Sequence, residues 1–276
     1  MHRHERHDIV ANSTFIEKFA QMYIDQRSES SVDYSSLDSS LLFNSTGFDS
    51  SALKSIILKS SVHKDIKREA GEQPAIIQDI YRSDLGELLM TYYYEEKVSK
   101  ERRFVIPLKN LPNRELAGLP GRGLDVVGYR LNANKVDILL GEAKVSAQKK
   151  NPPNVVDISD DSLYKTHKKH KLDQETLIRK LGDYCRKLDT THAEIIGFAI
   201  LCLTKSIANV EITYGCTLIR DYECSKEPED YGKMKTCAPE FEPDSIDFSL
   251  LTFLEKNIEE VTNSFYLKVQ ELVSAA

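Results

Sequence analysis

Apolar residues near the N-terminus recur at the spacing of an amphipathic helix. After Asn12, a residue type that often caps helices, the shared face holds Phe15, Phe19, Met22 and Tyr23. Recurrence at three and four positions predicts a helix, and the same spacing predicts helices over about 50–70 and about 74–96. Residues 28–51 contain ten serines, which indicates a flexible or irregular connection.

The middle of the chain changes to the alternation of strands. Residues 103–109 are predicted as a strand in which Pro107 indicates an edge or a bulge. A loop dense in Pro and Gly follows over 110–123. Residues 124–130 and 136–145 are then predicted as two strands, and the short polar turn between them makes an antiparallel hairpin the simplest arrangement.

The last third alternates between helical and strand patterns. Residues 158–188 are predicted to be helical and basic, and the nearly continuous apolar run 193–204 is predicted as a strand buried on both faces. A further strand is expected over 210–222, then an acidic loop and a closing amphipathic helix over about 245–273. This order of elements predicts an α/β sandwich with a mixed sheet.

Three charged residues stand on the otherwise apolar hairpin. Glu142 and Lys144 are two positions apart on one strand and therefore point to the same face, and Asp125 can reach the same end of the sheet from the other strand. Such groups are costly to desolvate unless they bind something. Two carboxylates and an ammonium suit Mg²⁺-assisted phosphodiester hydrolysis, with Mn²⁺ as an alternative ion. The competing interpretation is a structural Glu142–Lys144 ion pair without a metal.

Glu87 is a candidate third carboxylate. It stands next to the apolar face of the predicted 74–96 helix, and Gly86 beside it would let that helix approach another backbone closely. The alternative is a solvated surface glutamate.

These motifs together resemble a known superfamily. The Asp125 strand, the Glu142-Ala-Lys144 strand and the helix with Glu87 resemble the PD-(D/E)xK nucleases, and the runs at 83–89, 119–128 and 140–144 more closely resemble the HamA family. The resemblance covers roughly residues 74–220 and implies a restriction-endonuclease-like core. We predict that the nuclease-like domain spans 74–276 and follows an N-terminal helical extension over 1–73. The resemblance also implies a Mg²⁺-dependent DNase of the Hachiman anti-phage system, acting beside a superfamily 2 helicase, with Glu87, Asp125 and Glu142 as metal ligands and Lys144 in catalysis.

The distribution of charge supports a nucleic-acid partner although the net charge is −6. Residues 97–150 hold 12 Lys and Arg against 5 Asp and Glu, residues 164–187 hold 8 against 3, and residues 221–247 hold 3 against 9. A basic face can therefore bind phosphates while the whole chain is acidic. The predicted DNA-binding residues are Arg122, Lys149, Lys150, Lys165, Lys168, Lys169 and Lys171.

Two groups of histidines are candidate metal ligands by residue type, but other interpretations are favoured. His167 and His170 lie one helical turn apart, but with no carboxylate nearby a phosphate-facing or solvated basic helix is favoured over a zinc site. The histidines at positions 2, 4 and 7 are expected in a flexible polar terminus.

Composition and the lengths of the apolar runs restrict the class of protein and its expected location in the cell. The longest apolar runs fall far short of the roughly 20 residues that cross a bilayer, and the polar N-terminus does not suggest a signal peptide. Five cysteines without a CxxC pair are expected to be reduced thiols, which favours a cytoplasmic location. Two further hypotheses stay open: an inactive DNA-binding or helicase-regulating subunit, and a scaffold that docks a partner through the acidic segment 221–247.

Overall fold

Six strands of the described chain form one mixed sheet. The computed structural model describes residues 2–28, 45, 47, 50–61, 75–113 and 124–275. The strands are β1 (Arg3–Ile9), β2 (Val105–Lys109), β3 (Val126–Asn132), β4 (Lys135–Ser146), β5 (Val210–Asp221) and β6 (Ser245–Phe253). Their order across the sheet is β1-β6-β5-β4-β3-β2. The β2–β3 and β3–β4 pairs are antiparallel, whereas β4, β5, β6 and β1 run parallel.

Helices connect and cover these strands. The α-helices are α1 (Ser13–Ser28), α2 (Ser50–Ser61), α3 (Ala75–Tyr92), α4 (Asn154–Asp157), α5 (Leu163–Leu172), α6 (Gln174–Cys185), α7 (Thr190–Lys205), α8 (Gly232–Thr236) and α9 (Ile258–Ala275). A π-helical turn, Tyr93–Lys97, extends α3, and 3₁₀ turns occupy Lys100–Arg102, Leu111–Asn113, Tyr222–Cys224, Glu229–Tyr231 and Ala238–Phe241. The predicted α/β class with a mixed sheet flanked by helices is confirmed, and the fold is consistent with a restriction-endonuclease-like core.

The sheet separates two hydrophobic cores. On one face α1, α3 and α9 bury large side chains such as Phe19, Leu88 and Phe265. On the other face α5, α6, α7 and the segment around Phe241 cover the sheet. Successive residues of β4, such as Leu139 and Leu140, enter different cores, because neighbouring side chains of a strand point to opposite faces.

The predicted hairpin is confirmed. Strands β3 and β4 pair in antiparallel register from Asn132–Lys135 to Val126–Gly141, and Ala133 in the turn adopts a positive φ of 50°. Pro107 lies in β2 at the edge of the sheet, where the register shifts between Val105 and Leu108. Proline lacks a backbone N–H, so an edge with a bulge is where a strand tolerates it.

The prediction of a buried strand over 193–204 is wrong. These residues belong to helix α7, which Asp189 caps by accepting a hydrogen bond from the backbone N–H of His192 at 3.1 Å. Ile196, Ala199 and Cys202 are buried at helical spacing. The run was ambiguous because a short apolar segment fits a buried strand or a helix, and its length and cap decide between them.

The prediction of helix from residue 245 is also wrong. Residues 245–253 form β6, which is hydrogen-bonded on both sides, and the closing helix begins at Ile258. Each residue of 246–253 is buried. Burial on both faces removes the polar alternation that marks a strand in sequence.

The N-terminus is a strand rather than a flexible tail. Strand β1 pairs in parallel with β6 from Arg3–Asp247 to Ile9–Phe253, so the expectation for the three N-terminal histidines is wrong. The proposed domain boundary at 73/74 lies outside the described residues, as do most of the Ser-rich segment and residues 114–123 of the predicted loop.

None of the helices in the described ranges is both long and apolar enough to cross a membrane. All five cysteines are free thiols, and Cys202 is buried on α7.

Candidate functional site

The hairpin places Asp125 beside Glu142. Asp125 lies immediately before β3, whose first residue, Val126, pairs with Gly141. The Oδ2 atom of Asp125 accepts a hydrogen bond from the backbone N–H of Ala143 at 2.7 Å. This bond continues the pairing of the two strands beyond the end of β3 and fixes the Asp125 carboxylate next to the charged part of β4.

Glu142 and Lys144 form an ion pair on one face of β4. The Lys144 Nζ atom lies 3.0 Å from Oε1 of Glu142 and 2.9 Å from Oδ2 of Asp161, which precedes α5. Glu142 and Lys144 are largely buried, with side chains 8% and 16% exposed, whereas that of Asp161 is 75% exposed. We call Asp125, Glu142, Lys144 and Asp161 the Lys144 cluster.

Burial and neighbouring charges shift the pKa values of the Lys144 cluster. Burial, and then the neighbouring charge of Asp125, raise the pKa of Glu142 to about 8, although Lys144 opposes the shift. Burial disfavours the ammonium as well, yet the charge of Glu142 and the hydrogen bond to Asp161 raise the pKa of Lys144. The hydrogen bond from Lys144 lowers the pKa of Asp161. An additional cation beside Asp125 and Glu142 would stabilise the ionised forms of both carboxylates.

Glu87 is buried, so the interpretation as a solvated surface residue is wrong. Its side chain belongs to α3, and the residue is 3% exposed. The neighbouring Gly86 packs on β4, where a Cβ atom would lie 3.0 Å from Cγ2 of Val145 and 3.6 Å from Cβ of Ala143. Ala143 and Val145 point to the face of β4 opposite to Glu142 and Lys144, which places α3 on that opposite face.

The donor set of the Lys144 cluster suits a hard divalent cation. Carboxylate oxygens are the ligands that Mg²⁺ and Mn²⁺ favour. Within the described ranges, no three His, Cys, Asp or Glu residues are grouped so that they could hold a metal ion. The three-ligand set of Glu87, Asp125 and Glu142 therefore stays a prediction.

Lys149 and Lys150 are exposed on the loop that follows β4. Arg220, which is fully buried on β5, anchors this loop by donating hydrogen bonds to the backbone oxygen of Gln148 and, at 2.7 Å, to Oδ1 of Asn151. It also pairs with the buried Asp230. The two lysines therefore lie on a segment that Arg220 holds in place, a few residues after Lys144.

The other predicted DNA-binding lysines lie on α5 and differ in their partners. Lys168 is 3.0 Å from Glu240 and Lys171 is 2.6 Å from Asp244, so both contact the acidic segment. Lys165 pairs with Asp160 at 3.2 Å, and Lys169 is exposed. Arg122 lies outside the described residues. Part of the negative charge of segment 221–247 is therefore neutralised by lysines of the same chain.

The two histidines of α5 face the interior. His167 is fully buried, and its Nε2 atom lies 3.2 Å from the backbone oxygen of Gly215. Burial lowers the pKa of His167 to about 3 and that of His170 to about 4. Both imidazoles are therefore neutral near pH 7 and add no charge to the basic face.

Two residues of the site were missed by the sequence analysis. Asp161 contacts Lys144 across 17 positions of sequence, and its only local signal is a place before Ser162, the N-cap of α5. Arg220 stands in a strand without a motif. Both contacts are made by tertiary packing.

Comparison with known proteins identifies the family. The sequence model of the HamA family matches residues 17–272, nearly the whole chain. No curated protein matches the chain. The chain therefore belongs to the HamA family, and this membership indicates a role in Hachiman antiviral defence.

Proposed function

We propose that this protein is a metal-dependent DNA endonuclease that acts as the effector of Hachiman defence. The observation that carries the proposal is the Lys144 cluster, in which Asp125 and Glu142 adjoin Lys144, and burial together with the charge of Asp125 raises the pKa of Glu142. Family membership gives the biological setting, in which a superfamily 2 helicase is the proposed partner subunit.

Asp125 and Glu142 would hold the metal ion. Glu87 is proposed as a third ligand, which requires its carboxylate to reach past β4 from α3 on the opposite face. When bound, Mg²⁺ would polarise the scissile phosphate and compensate its developing negative charge. Asp125 is oriented for this role by the backbone N–H of Ala143. Burial of Glu142 keeps bulk water away from its carboxylate and strengthens its interaction with a cation.

Lys144 would act as a hydrogen-bond donor and a cation. Its raised pKa keeps the ammonium protonated at neutral pH, so it would orient the attacking water and the phosphate without accepting a proton. Glu142 and Asp161 contact the Nζ atom and fix its position. Pre-positioning of this kind lowers the cost of reaching the transition state.

DNA would be bound through its phosphates. Lys149, Lys150 and Lys169 are exposed, and Arg122 and Lys165 complete the proposed contact set. Lys168 and Lys171 would contribute less, because Glu240 and Asp244 already compensate their charges. The competing function, a catalytically inactive subunit that binds DNA or regulates a helicase, is favoured by the Glu142–Lys144 ion pair itself.

Cleavage of supercoiled plasmid by the purified chain, with Mg²⁺ or with EDTA, tests the proposal. We expect Mg²⁺-dependent nicking that Glu142→Gln abolishes while DNA binding is retained. Glu211→Gln is the matched control, because Glu211 also lies on a strand but forms an exposed ion pair with Lys135. Nicking in EDTA would exclude the metal role, and nicking by Glu142→Gln would exclude this site.

The test is repeated with the helicase subunit present if the isolated chain does not cut. Binding without cleavage under both conditions would favour the inactive regulatory subunit.

A further inference from the structure

Helix α7 is apolar on two sides, and the described part of the chain covers only one of them. Ile196, Ala199 and Cys202 are buried against the sheet. On the other side Phe198 is 44% exposed and Leu201 is 52% exposed. Isolated exposed apolar residues are common, but these two are neighbours on one helical face.

Two charged residues continue the exposed face in both directions. Glu194 precedes Phe198 by four positions, and Lys205 follows Leu201 by four. With 3.6 residues per turn, the spacing of four, three and four keeps all four side chains in one stripe. Glu194 and Lys205 are both exposed, and neither forms an ion pair or a hydrogen bond with other described residues.

The stripe is complementary to itself in the antiparallel direction. A two-fold axis that passes between Ala199 and Ile200 exchanges Phe198 with Leu201 and Glu194 with Lys205. Two copies of α7 related by this axis would place two apolar layers at the centre and an ion pair at each end. Spacings of four and three are those of the facing positions in paired helices, and a two-fold contact requires a surface that matches itself.

We propose that this stripe of α7, Glu194, Phe198, Leu201 and Lys205, binds a second copy of this chain in antiparallel orientation. An unrelated partner would need an apolar surface, but it would not require the charges to be opposite at the two ends of the stripe. One helix pair buries less than the roughly 1,200 Å² typical of stable complexes, so the dimer is a weak one that forms as concentration rises. The proposal does not depend on nuclease activity.

Sedimentation velocity of the full-length chain over a range of concentrations tests the proposal. The wild type should sediment increasingly as a dimer. Leu201→Gln should keep the chain monomeric, and an unchanged circular dichroism spectrum and melting temperature would show that the fold is intact, since Leu201 is exposed. Leu267→Gln, at a similarly exposed position on α9, is the control and should leave the dimer unchanged.

Charge reversal tests the orientation. Glu194→Lys alone, or Lys205→Glu alone, places like charges at both ends and should raise the dimer dissociation constant about tenfold. An equimolar mixture of the two single variants should associate as the wild type does, because each end of the mixed dimer again joins opposite charges. The double variant should also recover.

Three outcomes would overturn the proposal. The first is a wild type that stays monomeric up to several hundred micromolar. The second is a dimer that Leu201→Gln does not affect, which would place the contact elsewhere. The third is a mixture of the two single variants that associates no better than either alone. If the wild type does not self-associate and Leu201→Gln loses binding to a different protein, the stripe binds that protein instead.

Discussion

The sheet carries several buried ion pairs, and two of the groups they form differ in the charges that surround their carboxylates. One is the Lys144 cluster on β4. The other, which we call the Arg102 cluster, joins Glu5 on β1, Asp247 on β6, and Tyr93 and Arg102 from the segment after α3. Arg102 donates to Oε1 of Glu5 at 2.8 Å and to Oδ2 of Asp247 at 3.2 Å.

Opposite charges compensate each other in the Arg102 cluster. Arg3 lies 3.8 Å from Asp247 and the hydroxyl of Tyr93 donates to Glu5 at 3.2 Å, so two carboxylates face two guanidinium groups. Burial opposes ionisation of Glu5, but the hydrogen bond and charge of Arg102 hold its pKa below the ordinary value. Burial raises the pKa of Asp247 despite both arginines. Each carboxylate of this cluster therefore contacts a guanidinium group.

In the Lys144 cluster a second carboxylate, that of Asp125, lies beside Glu142. Burial and this neighbouring charge raise the pKa of Glu142 to about 8 although Lys144 opposes the shift. The comparison shows that an ion pair on a buried strand does not by itself indicate function. The informative property is the set of burial and neighbouring charges around each carboxylate.

The largest expected effect is a loss of stability when the central cation of the Arg102 cluster is removed. Arg102→Gln should lower the free energy of unfolding by about 3–5 kcal/mol, because it leaves the buried Asp247 without its closest cation. Arg179→Gln is the matched control. Its ion pair with Glu175 is exposed on both sides, so the loss there should be below about 0.5 kcal/mol. Urea denaturation measures both, and equal losses would contradict the distinction.

Removing a carboxylate from the Lys144 cluster should have the opposite sign. The folded-state pKa of Glu142 lies above its ordinary value of 4.5, so the wild type loses stability as pH rises from about 4.5 to about 8. Glu142→Gln lacks this titration. In EDTA at pH 9 it should be more stable than the wild type by about 1–3 kcal/mol, and the difference should vanish as the pH falls below about 4. Destabilisation at every pH would indicate a structural ion pair.

The smallest effect concerns the surface lysines. Neutralising Lys149 and Lys150 should reduce the slope of log affinity for DNA against log salt concentration by about one unit for each phosphate that the variant no longer neutralises. Neutralising Lys168 and Lys171 should change the slope less, because Glu240 and Asp244 already pair with them. Fluorescence anisotropy at several salt concentrations measures both slopes. Equal changes would show that the internal ion pairs do not determine which lysines bind DNA.

The sequence predicted those parts of the fold that depend on neighbours along the chain. Asp125, Glu142 and Lys144 were placed together because one hairpin carries all three, and alternation with a short turn determines its pairing. The edge position of Pro107 follows from its missing N–H. Asp161 could not be predicted, because packing of α5 against the sheet brings it to Lys144.

The Arg102 cluster was missed for a related reason. Its acidic residues stand on β1 and β6, the two strands that the sequence analysis assigned to a flexible terminus and a helix. Strand β6 is buried on both faces and shows no alternation. Strand β1 is rich in charged residues, and their partners Asp247 and Arg102 lie on β6 and on the 3₁₀ turn Lys100–Arg102. The paired residues of β1 and β6 lie more than two hundred positions apart in the sequence, so no local pattern predicts their pairing.

Thermal melting with and without Mg²⁺ tests most directly whether the carboxylates of the Lys144 cluster serve to hold a cation. A ligand that binds only the folded state adds about 2.7 kcal/mol at a hundredfold excess over its Kd. We therefore expect Mg²⁺ to raise the melting temperature of the wild type. Asp125→Asn should lose this response while melting, in EDTA, at or above the wild type. A wild type that ignores Mg²⁺ even with DNA present, or an Asp125→Asn variant that responds equally, would contradict the account.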